Sequence, residues 1–110
     1  MIIGIGCDIT NINRFSNKDI NFISKILSKD ELKLYNQKKG YNKIEFLAGR
    51  FCAKEAIIKA LPSEDIIAMP DINIIYEKNK PKFLYKNYNI LISISHEKEY
   101  AISYVCIQKD

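Results

Sequence analysis

The sequence predicts an α+β fold in which a long helix packs on an antiparallel sheet. Three features carry that expectation. An apolar strand opens the chain at MIIGIGCDIT, a long helical pattern runs through NKIEFLAGRFCAKEAIIKAL, and the last third alternates apolar and polar residues between short polar turns.

In the opening strand successive side chains alternate faces. Ile3, Ile5, Cys7 and Ile9 share one face, which reads as core, while Ile2, Gly4, Gly6 and Asp8 share the other. Two glycines beside a carboxylate leave room for another group to come close. Beyond NINRF, the stretch SNKDINFISKIL predicts a helix, with Ser16 and Asp19 at capping-box spacing and Phe22, Ile23, Ile26 and Leu27 at helical intervals. SKDELKLYNQKKG repeats the signal, with Ser28 and Glu31 as the box and Gly40 as the stop. The long helix ends before Pro62. DINIIYEKNKPKFLY then predicts two strands around a turn at Lys78 to Pro81, and NILISISHEKEYAISYVCIQ predicts two more around His96 to Glu99. Ile90, Ile92 and Ile94 alternate there with Leu91, Ser93 and Ser95, giving one strongly apolar face and one mixed face. No repeat or linker divides the chain, so residues 1–110 read as one domain.

With 110 residues, 47% hydrophobic and 27% charged, the chain has the makeup of an ordinary globular protein with a modest core. No apolar run approaches the roughly 18 residues of a membrane span. The N-terminus lacks the basic-then-apolar plan of a signal peptide, so a cytoplasmic protein with no membrane partner is expected. Cys7, Cys52 and Cys106 are odd in number, lack CxxC spacing and lie in apolar patterns. They read as small buried hydrophobes rather than a disulfide frame or a zinc site. The net charge of +4 favours anionic partners, whether nucleotide, acidic protein or nucleic acid, and does not choose among them.

The long helix holds the most informative residues. At about 100° per residue, Glu55 shares a face with Ala48, Cys52 and Lys59, which makes a polar notch on a helix otherwise suited to packing. A Glu followed by Lys one turn later is also a common surface pair of small energetic value. If the helix packs over the Gly4/Gly6 face, Asp8 and Glu55 converge. Two carboxylates in a partly buried place repel unless a proton or cation lies between them, and two carboxylates plus substrate phosphates are a usual way of holding Mg²⁺. Arg50, Lys54 and Lys59 around the same helix supply positive charge for such phosphates. Asp8 also has a structural alternative, the capping of nearby backbone. His96, the only histidine, reads either as a turn residue or as a hydrogen-bond donor to an anion, with Ser93 and Ser95 nearby. No nucleophile stands out. GIGCD lacks the third glycine of a dinucleotide fingerprint and lies within the strand rather than after it.

The motifs GIGCDIT with NRF, FLAGRFCAKEAIIKAL and SISHEKEYA, in this order and spacing, resemble those of the holo-acyl-carrier-protein synthases, the small class of 4′-phosphopantetheinyl transferases. The resemblance covers the whole chain. It implies transfer of phosphopantetheine from coenzyme A to a serine of an acidic apo-acyl carrier protein in support of fatty acid biosynthesis, by a homotrimer with active sites between subunits. It further implies that Asp8 and Glu55 bind Mg²⁺, that Lys59 contacts phosphate, and that Arg50, Lys54 and His96 belong to the coenzyme A site. Arg14 matches a basic position that grips the carrier. Such a reaction is phosphoryl transfer, in which positioning and charge neutralisation supply most of the catalysis. The nucleophile belongs to the carrier, and Glu55 is expected to accept its proton.

Three departures from the family pattern stand out. Asn11 occupies a place where the family usually has a glutamate. The segment PSEDIIAMPD replaces a glycine-rich turn, so coenzyme contacts from that loop are not carried over. Glu97 puts negative charge next to His96. The competing class is a small basic nucleic-acid-binding domain, in which tyrosines at 35, 41, 76, 85, 88, 100 and 104 would stack on bases among the lysines. Against it, these residues form no recognisable aromatic-basic motif and only two arginines are present. A non-catalytic trimeric relative is the third reading, and the joint presence of Asp8, Glu55 and Lys59 argues against it.

Overall fold

In the computed structural model, which describes residues 1–110, the chain starts with strand β1 (Ile2–Asn11) and a single 3-10 turn (Ile12–Phe15). Two short helices follow, α1 (Ile20–Ser24) and α2 (Lys29–Gln37), and then the long helix α3 (Tyr41–Ala60). The remainder forms a small hairpin of β2 (Ile75–Glu77) and β3 (Lys80–Lys82) and a larger one of β4 (Asn89–Glu97) and β5 (Tyr100–Gln108). Strands β1, β5 and β4 pair antiparallel in that order, with β5 in the centre, while β2 and β3 make a separate two-stranded sheet. Helix α3 lies across the larger sheet.

Local chemistry sets the boundaries. The Asp19 carboxylate accepts from the Phe22 N–H at 2.9 Å and caps α1, so the box expected at Ser16 and Asp19 is replaced by Asp19 alone. Ser16 instead closes the 3-10 turn. At α2 the expected capping box is complete. Ser28 Oγ accepts from the Glu31 N–H at 3.2 Å, and Glu31 Oε1 accepts from the Ser28 N–H at 2.9 Å. Gly40 opens α3 with φ +59° rather than stopping α2, which ends at Gln37. Both hairpins turn through left-handed residues, Lys78 and Asn79 in the first and Lys98 in the second.

Helix α3 buries residues on more than one of its faces because it serves two cores. Ala53, Ala56, Ile57 and Ala60 pack with Ile72, Ile74, Phe83, Ile90, Val105 and Ile107. Leu47, Ala48 and Cys52 pack with Ile12, Phe15, Ile23, Ile26, Leu27 and Ala101.

The approach of α3 to β1 is close enough to exclude side chains. A Cβ on Gly4 would lie 1.8 Å from the Ala60 carbonyl oxygen, and one on Gly6 would lie 2.1 Å from that of Ala56. The helix therefore covers the glycine face of β1, as the sequence predicts. The isoleucine face, expected to be core, is open beyond the strand's first residues: Ile3 packs against the core beside a register irregularity, whereas Ile5 is 60% and Ile9 62% exposed. Cys7 is exposed with them, contrary to its reading as a buried hydrophobe, and only Cys52 of the three cysteines is fully enclosed. The open face continues across the sheet, where Cys7 pairs with Tyr104 and Ile9 with Ile102.

The segment after α3 is fastened by one carboxylate. Asp65, with a side chain 1% exposed, accepts from the Lys86 ammonium and, at 2.6 Å, from the Tyr88 hydroxyl. The bond from Lys86 and then that from Tyr88 hold the Asp65 carboxyl below its usual pKa. A lowered folded-state pKa means a contribution to stability that is present above about pH 4, the unfolded value, and is lost as pH falls through the folded one.

Two outcomes test this packing. Gly6→Ala should lower stability by about 3 kcal/mol, since neither backbone has room to yield; a denaturation midpoint equal to wild type would contradict it. The stability gap between wild type and Asp65→Asn, read from urea midpoints, should be present at pH 6 and narrow on going below about pH 4. A gap of constant size would remove Asp65 from the acid limb.

Candidate functional site

Asp8 ends the glycine-lined face of β1, and the close helix brings Lys59 to it. The Lys59 ammonium donates to Asp8 Oδ1 at 3.2 Å and to the Cys7 carbonyl oxygen at 3.0 Å. The bond to Asp8 leads in raising the Lys59 pKa above its ordinary value, and the charge of Glu55 adds to the effect. Glu55 is partly exposed on the same side of α3. One turn before it, the Cys52 thiol donates to the Asp8 carbonyl oxygen at 3.2 Å, and burial pushes that thiol up to about 11. Cys52 is therefore a neutral packing group at physiological pH and no nucleophile. The Asp8 side chain is 15% exposed and that of Lys59 53%, so the group sits at the rim of the fold with access to solvent.

These residues suit a divalent cation of hard character. The oxygens bonded to the Lys59 ammonium are those of the Asp8 carboxylate and the Cys7 carbonyl, and the Glu55 carboxylate adds its charge from one turn earlier on α3. An ammonium already answers their negative charge. No set of three acidic, histidine or cysteine side chains gathers in the chain. Mg²⁺ keeps several waters and takes one or two carboxylates with substrate phosphates, which matches this donor set.

A cavity of about 620 Å³ opens on another part of α3, lined by Lys38, Lys39, Phe46, Arg50, Tyr76 and His96 among others. Arg50 is 6% exposed, and its Nε donates to Glu31 Oε2 at 3.1 Å. Its guanidinium carbon stands 4.3 Å from the centre of the Phe46 ring and 4.9 Å from that of Tyr76. His96 reaches the cavity from β4 because position 49 is glycine: a Cβ there would meet His96 Nε2 at 3.0 Å. Ser93 and Ser95 alternate away from His96 toward the exposed side of the sheet, so the strand offers no Ser–His pair.

Lys54 is a correction to the sequence reading. It is fully buried, and its three N–H groups go to the Ile26 carbonyl at 2.6 Å, Glu31 Oε1 at 2.5 Å and the Met69 carbonyl at 2.9 Å. Burial lowers its pKa while Glu31 opposes that shift. With every donor committed inside the fold, Lys54 does not line the cavity or offer a phosphate contact. Arg14 stands apart from the cavity. It is exposed, bonded to Thr10 Oγ1 at 3.2 Å and laid over the rings of Phe15 and Phe51. The tyrosines are dispersed as well: Tyr85 and Tyr88 flank one core, Tyr35 the other, and Tyr76 lies on Arg50.

The residue that sequence reasoning missed is Glu31, read there only as a helix cap. Each of its carboxylate oxygens accepts two bonds. Oε1 takes the Ser28 N–H and Lys54, and Oε2 takes Arg50 and, at 3.2 Å, the Ile74 N–H. The available signal was Arg50 and Lys54 one turn apart among the small and apolar residues of the helix centre, a pair that calls for a buried anion.

Comparison with known proteins places the chain in a family. The sequence model of the 4′-phosphopantetheinyl transferase superfamily matches residues 4–105. The holo-[acyl-carrier-protein] synthase of Mycoplasma mycoides is 47% identical over 111 residues, covering 100% of this chain and 98% of its own. That of a Geobacillus strain is 38% identical over 117 residues, covering 99% and 98%. Among solved structures, a holo-(acyl-carrier-protein) synthase from Bacillus anthracis in complex with CoA (3′,5′-ADP) superimposes with a TM-score of 0.88 at 34% identity, covering 100% of this chain and 99% of that one.

Proposed function

The chain belongs to the 4′-phosphopantetheinyl transferase superfamily, and on that premise we propose that it is a holo-[acyl-carrier-protein] synthase. It moves 4′-phosphopantetheine from coenzyme A to a serine of an apo-acyl carrier protein. The observation that carries the reading is the bond from Lys59 to Asp8 at the rim of the α3–β1 contact, one helical turn from Glu55, which the two glycines of the strand make possible.

The serine oxygen of the carrier forms a bond to the phosphorus that bears pantetheine. The bond from that phosphorus to the bridging oxygen breaks, and adenosine 3′,5′-bisphosphate leaves with the electron pair. Glu55 takes the serine proton, a role suited to an accessible carboxylate beside a cation. Lys59, held in its charged form by Asp8, offers its ammonium to the pyrophosphate. Asp8 and Glu55 would hold Mg²⁺, which when bound would neutralise charge on the leaving phosphate. Arg50 and His96 receive the coenzyme's phosphates in the cavity, and Arg14, on the exposed 3-10 turn, meets the acidic carrier.

The open sheet face supports a homotrimer, the assembly that the family resemblance implies. Ile5, Ile9, Leu91, Ile102 and Tyr104 are each about half exposed or more and form a continuous apolar surface of the kind that marks an interface. No helix is long and apolar enough to cross a membrane. We place the enzyme in the cytoplasm, where it serves fatty acid biosynthesis.

Intact-mass measurement of an apo-acyl carrier protein after incubation with this chain, coenzyme A and Mg²⁺ tests the proposal. One phosphopantetheinyl group should be gained, and the gain should vanish with EDTA and with Asp8→Asn. Glu55→Gln should lower kcat by about a hundredfold or more, a larger loss than the one in coenzyme binding, as removal of a general base does. Turnover at the wild-type rate would remove Glu55 from that role.

A further inference from the structure

We propose that Glu31 is a positioning residue for the coenzyme's phosphates: from inside the fold it fixes Arg50 so that the terminal guanidinium nitrogens face the cavity. The claim rests on the coenzyme A reading above and assigns a function to a residue that touches no ligand.

The bond from Nε to Glu31 is the only hydrogen bond that the Arg50 side chain makes within the chain. Both terminal nitrogens are left for a ligand, on a side chain that lines the cavity. The guanidinium is further held between Phe46 and Tyr76. Glu31 also sets the second of these rings. The same Oε2 that accepts from Arg50 accepts from the Ile74 N–H, two residues before Tyr76. One oxygen thus places both the cation and an aromatic surface that it rests on.

Glu31 is itself held by bonds on every side. It is 0% exposed, and Oε1 is bound by the Ser28 N–H and by Lys54. Lys54 acts through Glu31 in turn. Its ammonium ties the carboxylate to the Ile26 and Met69 carbonyls, and it balances charge that would be costly to bury alone. A free arginine loses rotamer freedom when it closes on a phosphate, whereas one already held in the binding geometry does not. The sequence Lys54–Glu31–Arg50 therefore converts a buried ion network into affinity at a surface cavity.

A purely structural role predicts that Glu31 acts on stability regardless of Arg50, so the two are separated by a double-variant comparison. Coenzyme A affinity by calorimetry, together with KM and kcat, would be measured for wild type, Glu31→Gln, Arg50→Met and the pair. Glu31→Gln should weaken coenzyme binding and raise KM by about tenfold, the worth of a charged hydrogen bond, with kcat held within about twofold. The pair should be no worse than Arg50→Met. An unchanged affinity for Glu31→Gln, or losses that multiply in the pair, would overturn the proposal. If Glu31→Gln fails to fold because Lys54 is left uncompensated, Glu31→Gln/Lys54→Met is compared with Lys54→Met, and the same loss of affinity is expected. Equal affinities, or a pair that still fails to fold, would make Glu31 a stability residue and overturn the claim. A wild-type chain that binds coenzyme A and modifies no carrier would sink the transferase reading alone. One that binds no coenzyme would sink both.

Discussion

The backbone contact between α3 and β1 is the constraint from which the site follows. Side chains at positions 4 and 6 would collide with the carbonyls of Ala60 and Ala56, so glycine there brings the helix within reach of the strand's own polar groups. That proximity lets Lys59 bond both Asp8 and the Cys7 carbonyl and puts Glu55 close enough for its charge to act on the same ammonium. The small side chains of Ala53, Ala56 and Ala60 serve the same end on the helix side, where they belong to the core. A larger gap between the elements would preserve the fold class and part Lys59 from Asp8. Packing and chemistry meet in two glycines.

A second constraint governs the cavity. Helix α3 carries two cations, Arg50 and Lys54, into regions with little access to water, and a single carboxylate from α2 answers both. Buried ions of this sort add little net stability, because desolvation offsets their attraction, but they fix geometry once every donor and acceptor is used. No buried side-chain nitrogen or oxygen is left without a partner. The network ties α2, α3 and the approach to β2 into one rigid wall, on which Arg50 presents its free nitrogens.

Much of this was legible in the sequence, and the failures have physical causes. The order of elements, the length of α3, the capping box at Ser28 and Glu31 and the glycine face of β1 all follow from local periodicity and cap chemistry. Burial of the opposite face does not, because alternation shows which residues share a face and never which face is covered. Ile5 and Ile9 look like core and lie open. Lys54 failed for a related reason. Helical spacing put it beside Arg50, but whether a lysine points into solvent or into the fold depends on distant carbonyls, here those of Ile26 and Met69. Glu31 was seen as a cap and no more, since its partners Arg50, Lys54 and Ile74 are remote in the chain.

The central claim is that Asp8 and Glu55, joined through the glycine-permitted contact, form one cation site completed by the coenzyme's phosphates. Binding of Mn²⁺, followed by electron paramagnetic resonance with and without coenzyme A, tests it most directly. The account predicts weak binding to the chain alone, much tighter binding when coenzyme A is present, and loss of the tight component in Asp8→Asn and in Glu55→Gln alike. Tight binding that survives either substitution, or that is indifferent to coenzyme A, would contradict it.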